Sequence, residues 1–570
     1  MNAAELIVKT LERAGVKYMF GIPGGAIEGL NNALYANKNI KVIVTKNEAG
    51  AAYMADGYAR FSGNLGVCFS TAGPGASNLV TGLANAYIDG IPVCALTGQV
   101  PTSLSGKGAF QESGQEGVNI VAIFRKFTRF SGTLSNELRT EYMIRQCLRT
   151  ARSTPSGPVH MSLPVDILKR EVFETMPPMV MVGERVFDRE SVEKAALILS
   201  TAQNPAIIAG WGVVLSRGSD ELLKLSQLLN IPVATSPKAK GVFPESHPLS
   251  LGVLGFAGSP VAKEYILERE VDVLVAIGTS FDEMTTSGWD ERLFPAKHLI
   301  HIDANPEKIG RNYHTSVGVV GDAKTVIREL NLAIKRQCGA GADETFLRGV
   351  FNRPELDRIK AAHGSLPEPE STGQLYHPYE LIKDIQKSFP QNTAYFVEIG
   401  AVMAWALRYM IIERPCSFFL PIGFGGMGYS TAACVGAKLA AGDRPVAALC
   451  GDGGFLMSGL EVATAVNHDI PAIWVIFNNA MHGMIYHGRR SFDPPVSEGI
   501  PTRFKRVDFA KLGEGLGARG VRIEKPGGLT PELVQDIIAE KRPAVLDILI
   551  DEEAAPPFGT RIKTMDKHFG

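Results

Sequence analysis

Two residues in the last third of the chain have the types and the placement to hold a divalent cation against a diphosphate. Asp452 stands in Gly451-Asp452-Gly453-Gly454, and Asn479 closes the pair Asn478-Asn479. A carboxylate, an amide oxygen and a main-chain carbonyl are the hard donors that Mg²⁺ accepts while it also binds phosphate. Gly453 and Gly454 let the backbone come close to such phosphates at a helix N-terminus. A bare Gly-Asp-Gly is a common turn, so the flanking pattern decides. Pro445–Cys450 (PVAALC) and Pro471–Phe477 (PAIWVIF) are short apolar runs of the buried parallel-strand kind, and Phe455–Asn467 between them reads as a helix. A right-handed βαβ crossover brings the carboxyl ends of both strands to one sheet edge, which predicts Asp452 and Asn479 side by side.

A second carboxylate has a comparable setting. Glu48, in Thr45-Lys46-Asn47-Glu48-Ala49-Gly50-Ala51-Ala52, comes after the strand pattern KVIV (41–44) and opens a helix with a small, apolar first turn. A carboxylate there is stabilised by the helix N-terminus. Taken alone, a first-turn glutamate is ordinary helix chemistry.

The elements that must position these residues fall into three α/β blocks, each expected to be a doubly wound parallel sheet. The first spans 1–185, with strands GVCFS (66–70) and PVCALTG (92–98) and a Pro-rich exit at 157–167. The second spans 190–335, with strands PAIIAG, DVLVAIG and HLIHID, and the third spans 375–550. The stretches 339–343 and 365–373 read as linker, and 551–570 as a C-terminal tail. With 570 residues the chain has room for about three or four domains. A net charge of −1 gives no electrostatic case for nucleic acid or a membrane surface. Seven scattered cysteines without a CxxC suit reduced core thiols in a cytoplasmic protein. The amphipathic, acid-containing N-terminus is not of the targeting kind.

Gly-Asp-Gly-Gly with Asn-Asn at this spacing resembles the thiamine diphosphate (ThDP) motif. Further stretches extend the likeness over nearly the whole chain: FGIPGGAI (20–27), NEAGAAYMADGYAR (47–60), TAGPGASN (71–78), IPVCALTGQVP (91–101), AFQE (109–112) and GFGGMGYS (423–430). Together they resemble the acetolactate synthase and pyruvate oxidase branch of the ThDP enzymes. The resemblance implies that the first block binds the pyrimidine, the third binds the diphosphate, and the middle one is a nucleotide-binding-like spacer. It also implies a homodimer or homotetramer with active sites between subunits.

The matching positions imply residue roles. Glu48 matches the catalytic glutamate that hydrogen-bonds the pyrimidine N1′. Met427 matches the apolar wedge that bends the cofactor, and the Gly425 carbonyl matches the acceptor for its 4′-amino group. Asp452, Asn479 and the main-chain oxygen of Met481 match the Mg²⁺ ligands. Gly451, Gly453, Gly454, His482 and Gly483 lie where phosphates bind, and Met484 and Ile485 wall the donor pocket. Pro23, Gly24, Gly25 and Ala26 match the small-residue loop facing the thiazolium. Phe110 and Gln111 match the segment that meets the second substrate, and Lys126 a lysine at the substrate entrance, with Arg125 as an alternative cation. The implied activity is decarboxylation of pyruvate or a related 2-oxoacid and ligation of the two-carbon unit to a second carbonyl. Pyruvate oxidase-like chemistry and a catalytically inactive ThDP-fold binding subunit are the alternatives.

Three positions depart from the synthase pattern. Gly400-Ala401-Val402 replaces a Gly-Gln-His segment, Gly488 stands where a tryptophan favours one acceptor, and Met284-Thr285 replaces an arginine near the flavin. Tyr486, His487, Arg489 and Arg490 make the flank beside Gly488 polar and basic, a setting for an anionic acceptor. Segments GWGV (210–213), LGFAG (254–258), GTSFDE (278–283), HIDANP (301–306) and GD (321–322) fall where FAD-containing members contact the flavin, so FAD joins ThDP and Mg²⁺ as a candidate cofactor.

Overall fold

Short runs of β-branched and apolar residues, each leading into a helix, assemble into three six-stranded sheets. The computed structural model describes residues 1–175, 187–337, 353–363, 374–492 and 501–559. The expected linkers at 339–343 and 365–373, and the tail beyond 559, lie outside them.

The first sheet contains β1 (Tyr18–Gly21), β2 (Lys41–Val44), β3 (Gly66–Ser70), β4 (Val93–Gln99), β5 (Phe130–Thr133) and β6 (Val159–Pro164) in the order β2-β1-β3-β4-β6-β5. The second contains β7 (Pro205–Ala209), β8 (Val233–Thr235), β9 (Ser250–Val253), β10 (Val273–Ile277), β11 (His298–Asp303) and β12 (Val317–Val320), ordered β12-β11-β10-β7-β8-β9. The third contains β13 (Ala394–Val397), β14 (Phe418–Phe419), β15 (Val446–Gly451), β16 (Ile473–Asn478), β17 (Arg519–Ile523) and β18 (Ala544–Leu549), ordered β14-β13-β15-β16-β18-β17. The named strands pair in parallel throughout. Strands buried on both faces, as β4, β15 and β16 are, explain why these runs are apolar without alternation.

The first and third sheets have the same strand order. In each, the helix after the second strand packs on its counterpart. Glu48–Ser62 crosses Tyr429–Ala441 so closely that a Cβ on Gly57 would strike the Ala433 carbonyl, and one on Gly436 would strike the Met54 carbonyl. One apolar core therefore runs through both, from Phe20 and Met54 to Tyr429 and Trp474. The middle sheet has a core of its own, drawn from Val192 to Ile359.

A buried polar knot ties the three sheets together. The Arg60 guanidinium bonds Asp56 and Asp89, Lys238 reaches Asp89 at 3.3 Å, and the Tyr429 hydroxyl donates to Asp56 at 2.6 Å. Trp211 Nε1 donates to the Asp89 carbonyl at 2.9 Å. Burial opposes the charge on Asp89, but Lys238 and Arg60 hold its carboxyl below the usual range. Burial wins at Asp56, whose carboxyl lies above it.

Candidate active site

Hydrogen-bond register in the third sheet delivers the cation site. Gly451, the last residue of β15, pairs with Phe477 of β16, so Asp452 and Asn479 emerge side by side. Asp452 is almost fully buried, and its carboxylate accepts from Gly453 N at 2.7 Å, Asn479 N at 3.0 Å and Ala480 N at 2.6 Å. Burial still pushes its carboxyl up to about 6. The expected single helix over 455–467 is three pieces: a helix Asp452–Ser458, a 3₁₀ turn Gly459–Glu461 and a helix Val462–Asn467. The helix starts three residues early, which puts Asp452 itself in its first turn. It breaks at Gly459, a weak helix former packed against the Phe455 ring.

The loop after Asn479 completes this edge. Ala480 has a left-handed φ of 57° and turns the chain, so that Met481 forms an isolated bridge with Arg503. His482 lies over Gly453, where a Cβ would come within 2.8 Å of Nδ1. Gly483 opens the helix Gly483–Arg490, with Met484 half-buried and Ile485 exposed. Gly425, with φ +77°, and Gly451 face open space, where added Cβ atoms would meet nothing within 4 Å. Met427 stands between glycines with 52% of its surface exposed, so it is not core filling.

Glu48 sits at the carboxyl edge of the first sheet. Asn47 caps its helix by accepting from Ala49 N at 2.8 Å, and Asn78 Nδ2 donates to Glu48 Oε2 at 2.9 Å. Close backbone approaches gather the neighbouring loops here. Gly24 abuts Thr71, Gly73 abuts Gln111, and Gly75 lies against Glu48 Oε1. Gln111 holds a left-handed φ of 60°, while Phe110 beside it projects outward with 87% exposure. Pro23 is exposed, and the position of a Gly25 side chain is open space. Lys126 and Arg125 lie exposed just beyond the helix Ile120–Phe124. No hydrogen bond among the described residues joins Glu48 to Asp452, Asn479 or Met481.

Comparison with known families reproduces this division. The N-terminal TPP-binding domain of thiamine pyrophosphate enzymes matches residues 1–118, their central domain 192–330, and their C-terminal TPP-binding domain 398–548. The chain belongs to the thiamine pyrophosphate enzymes. Among its relatives are a probable acetolactate synthase large subunit of Methanocaldococcus jannaschii, 37% identical over 98% of this chain and 93% of the relative, and an acetolactate synthase of Mycobacterium bovis, 33% identical over 97% and 89%. The acetolactate synthase large subunit of Corynebacterium glutamicum is 32% identical over 97% and 87%. These place this thiamine pyrophosphate enzyme in the acetolactate synthase branch.

The residues present suit the diphosphate–cation unit of such an enzyme. The Asn479 side chain, nearly buried beside Asp452, has no hydrogen-bond partner among the described residues. A divalent cation there would engage that amide oxygen and keep Asp452 ionised despite its burial. Among the described residues no group of three or more His, Cys, Asp or Glu side chains could hold a metal; a cation at this edge would have one carboxylate, one amide and backbone as donors. The glycines that open onto space supply the cradle.

The FAD segments divide. Four of the five line a cavity of about 660 Å³ at the carboxyl ends of β7, β10 and β11, with Trp211, Thr279, Asp303 and Asp322 in its wall. Arg60, which also lines it, has a buried Nη1 without a partner. LGFAG does not line it. Gly255 is packed against the Met284 carbonyl, and Phe256 N donates to that carbonyl at 2.8 Å. Of the five segments, LGFAG alone is packed away from the cavity.

Two site features escaped the sequence. Glu398, at the end of β13, accepts from Gly428 N at 3.1 Å, Ser430 N at 3.0 Å and Ser430 Oγ at 2.7 Å, and so fixes the loop carrying Met427. Burial pushes its carboxyl up to about 7. The basic flank after Met484 makes ion pairs within the chain that no motif marks. Arg490 pairs with Glu553 at 2.9 Å, and Arg503 pairs with Glu552 at 2.8 Å and Glu553 at 3.0 Å. Tyr486 Oη accepts from both arginines, and His487 Nε2 lies 3.0 Å from the Glu552 carbonyl. The chain's own 552–553 segment neutralises these cations.

Proposed function

We propose that this enzyme decarboxylates pyruvate or a related 2-oxoacid and joins the two-carbon unit to a second carbonyl, as an acetolactate synthase does. The observation that carries this reading is the pairing of a buried Glu48 at one sheet edge with Asp452 and Asn479 at the edge of a sheet with the same strand order. ThDP, when bound, supplies the nucleophilic carbon and the electron sink for decarboxylation. Glu48 holds and returns the proton of the pyrimidine N1′, oriented by Asn78. Asp452, Asn479 and the Met481 carbonyl would hold Mg²⁺ at the diphosphate. Met427, on the loop held by Glu398, would press on the bound cofactor and help bring its reacting groups together. Phe110, Gln111, Lys126, Met484 and Ile485 shape the space for the two substrates and keep water from it.

The working unit in this reading is a homodimer or homotetramer. Large apolar side chains stand exposed at both half-sites: Phe110, Leu104 and Val118 on one side, and Phe424, Met427, Met457 and Ile485 on the other. Exposed apolar surface on this scale marks an interaction face, and a second copy would bring one chain's Glu48 to the other's Asp452. The cavity of the middle sheet, with Trp211, Thr279 and Asp303 in its wall, would take the nucleotide half of FAD.

Purified protein with ThDP, Mg²⁺ and pyruvate should yield acetolactate, resolved by mass and NMR. Acetate or acetyl phosphate instead would point to pyruvate oxidase-like chemistry. No product in protein that binds ThDP would point to an inactive binding subunit. The visible spectrum of the same preparation tests the flavin.

A further inference from the structure

The loop that presents Glu48 is held by the other half of the same chain. Glu461, in the 3₁₀ turn nine residues beyond Asp452, is 1% exposed and lies against a backbone over 400 residues away in sequence. Its Oε1 accepts from Asn47 N at 3.0 Å and Lys46 N at 3.2 Å, and its Oε2 accepts from Lys46 N at 3.2 Å and Thr464 Oγ1 at 2.6 Å. Seven residues on, His468 Nε2 accepts from Val44 N at 3.0 Å. Two side chains of the third sheet thus take three of the four main-chain N–H groups between the end of β2 and the helix that Glu48 opens. Gly50, the third residue of that helix, has no room for a Cβ, because Glu461 Oε1 occupies the place.

The arrangement is specific in a way that packing alone does not require. The same loop has an internal restraint, Thr45 Oγ1 donating to the Asn47 carbonyl at 3.1 Å, which leaves its N–H groups for an outside acceptor. A buried carboxylate accepting several N–H bonds is among the stronger polar contacts, and removing it strands buried donors. The groups it orders lie one and two residues before the carboxylate that must meet the cofactor ring within hydrogen-bond reach.

We propose that Glu461, assisted by His468, is a positioning residue for Glu48: it fixes the loop Thr45–Asn47 so that the Glu48 carboxylate holds its place toward N1′. The inference rests on the assignment of Glu48 as the group that meets N1′.

The test uses full-length protein with ThDP and Mg²⁺. The readout is the rate at which the C2 proton of bound ThDP exchanges with deuterium, measured by acid quench and NMR, beside kcat, the KM for pyruvate and the cofactor dissociation constant. Glu461→Ala should slow exchange and kcat together by at least about tenfold, because displacement of a catalytic group by an ångström can cost about a hundredfold. KM and cofactor binding should stay within about threefold on the same reasoning, since no contact to substrate or diphosphate is removed. Glu461→Gln, which keeps one acceptor oxygen, should recover part of the loss, and His468→Ala should show a smaller loss of the same kind. Should Glu461→Ala fail to fold, Glu461→Gln decides, with slower exchange expected. Wild-type exchange in folded Glu461→Ala or Glu461→Gln overturns the proposal, as does a loss confined to cofactor binding. Glu48→Gln is run alongside. If it too leaves exchange unchanged, the assignment of Glu48 has failed and this inference falls with it; if only the Glu461 variants are silent, this inference alone has failed.

Discussion

The first and third sheets share a strand order and a helix-on-helix contact, yet they assign their polar residues differently. In the first, Glu48 comes after the second strand, at the sheet's edge, and the ends of the third and fourth strands carry small residues and Gln99. In the third, Asp452 and Asn479 come after the third and fourth strands, and the second strand leads into the Met427 loop. The two loops ahead of the crossing helices are also restrained differently. Gly428 and Ser430 are held by Glu398 of their own sheet, whereas Lys46 and Asn47 are held by Glu461 of the other. One topology supplies the same edge twice, and in the proposed reading the choice of side chains divides the work into a proton-handling half and a phosphate-holding half.

That division can be broken, most severely at Glu48. Glu48→Gln should lower turnover by about 10²–10⁴-fold, the usual worth of a positioned acid–base group. Thermal unfolding and ThDP binding should change little, so assays of both beside kcat separate chemistry from fold. On the phosphate side, Asp452→Ala should raise the Mg²⁺ needed for half-maximal activity by about 10–100-fold, the scale on which cation sites answer to lost support. A magnesium titration at saturating ThDP measures it, and an unchanged midpoint would remove Asp452 from the cation site.

The symmetric crossing gives the next largest effect, on stability. Gly57→Val and Gly436→Val each force a side chain into a backbone carbonyl and should cost about 1–3 kcal/mol, seen as a lower urea midpoint. Similar losses at both positions would support the pairing of the two helices. Glu398 supplies a pH test of the loop it holds. Its folded carboxyl is raised to about 7 from 4.5, so the folded state keeps a proton that the unfolded state has lost. The stability it contributes is full below pH 4.5 and is lost as pH rises through about 7. Urea midpoints from about pH 5 to 8 should fall in the wild type and fall less in Glu398→Gln. The smallest effect belongs to the exposed Arg490–Glu553 pair, where Arg490→Ala should leave the urea midpoint all but unchanged, as exposed ion pairs do.

The features legible in the sequence were local ones. Asp452 beside Asn479 can be read from two apolar runs and one crossover, and Glu48 at a helix start from its neighbours. The break at Gly459 was not legible, because it depends on the fit against Phe455. Glu398 and Glu461 were missed because their partners are N–H groups, which nearly every residue carries and no motif marks. A glutamate inside the otherwise apolar LEVATAV was the available hint for Glu461. The ion pairs of the basic flank were not legible, because their acidic partners, Glu552 and Glu553, come some sixty residues later and meet it only through β18.

The shared core of the outer sheets bears on how the chain can be cut. The first and third sheets bury one another's helix faces, while the middle sheet has its own core and meets them through the knot at Arg60 and Asp89 and through Trp211, Val253, Phe256 and Ala257, which pack into the outer cores. The polypeptide is thus one discontinuous body interrupted by a second. A fragment ending after the first sheet would lay Gly50, Met54 and Gly57 open to water and should aggregate, and the middle segment cut out alone would expose Trp211, Val253 and Phe256.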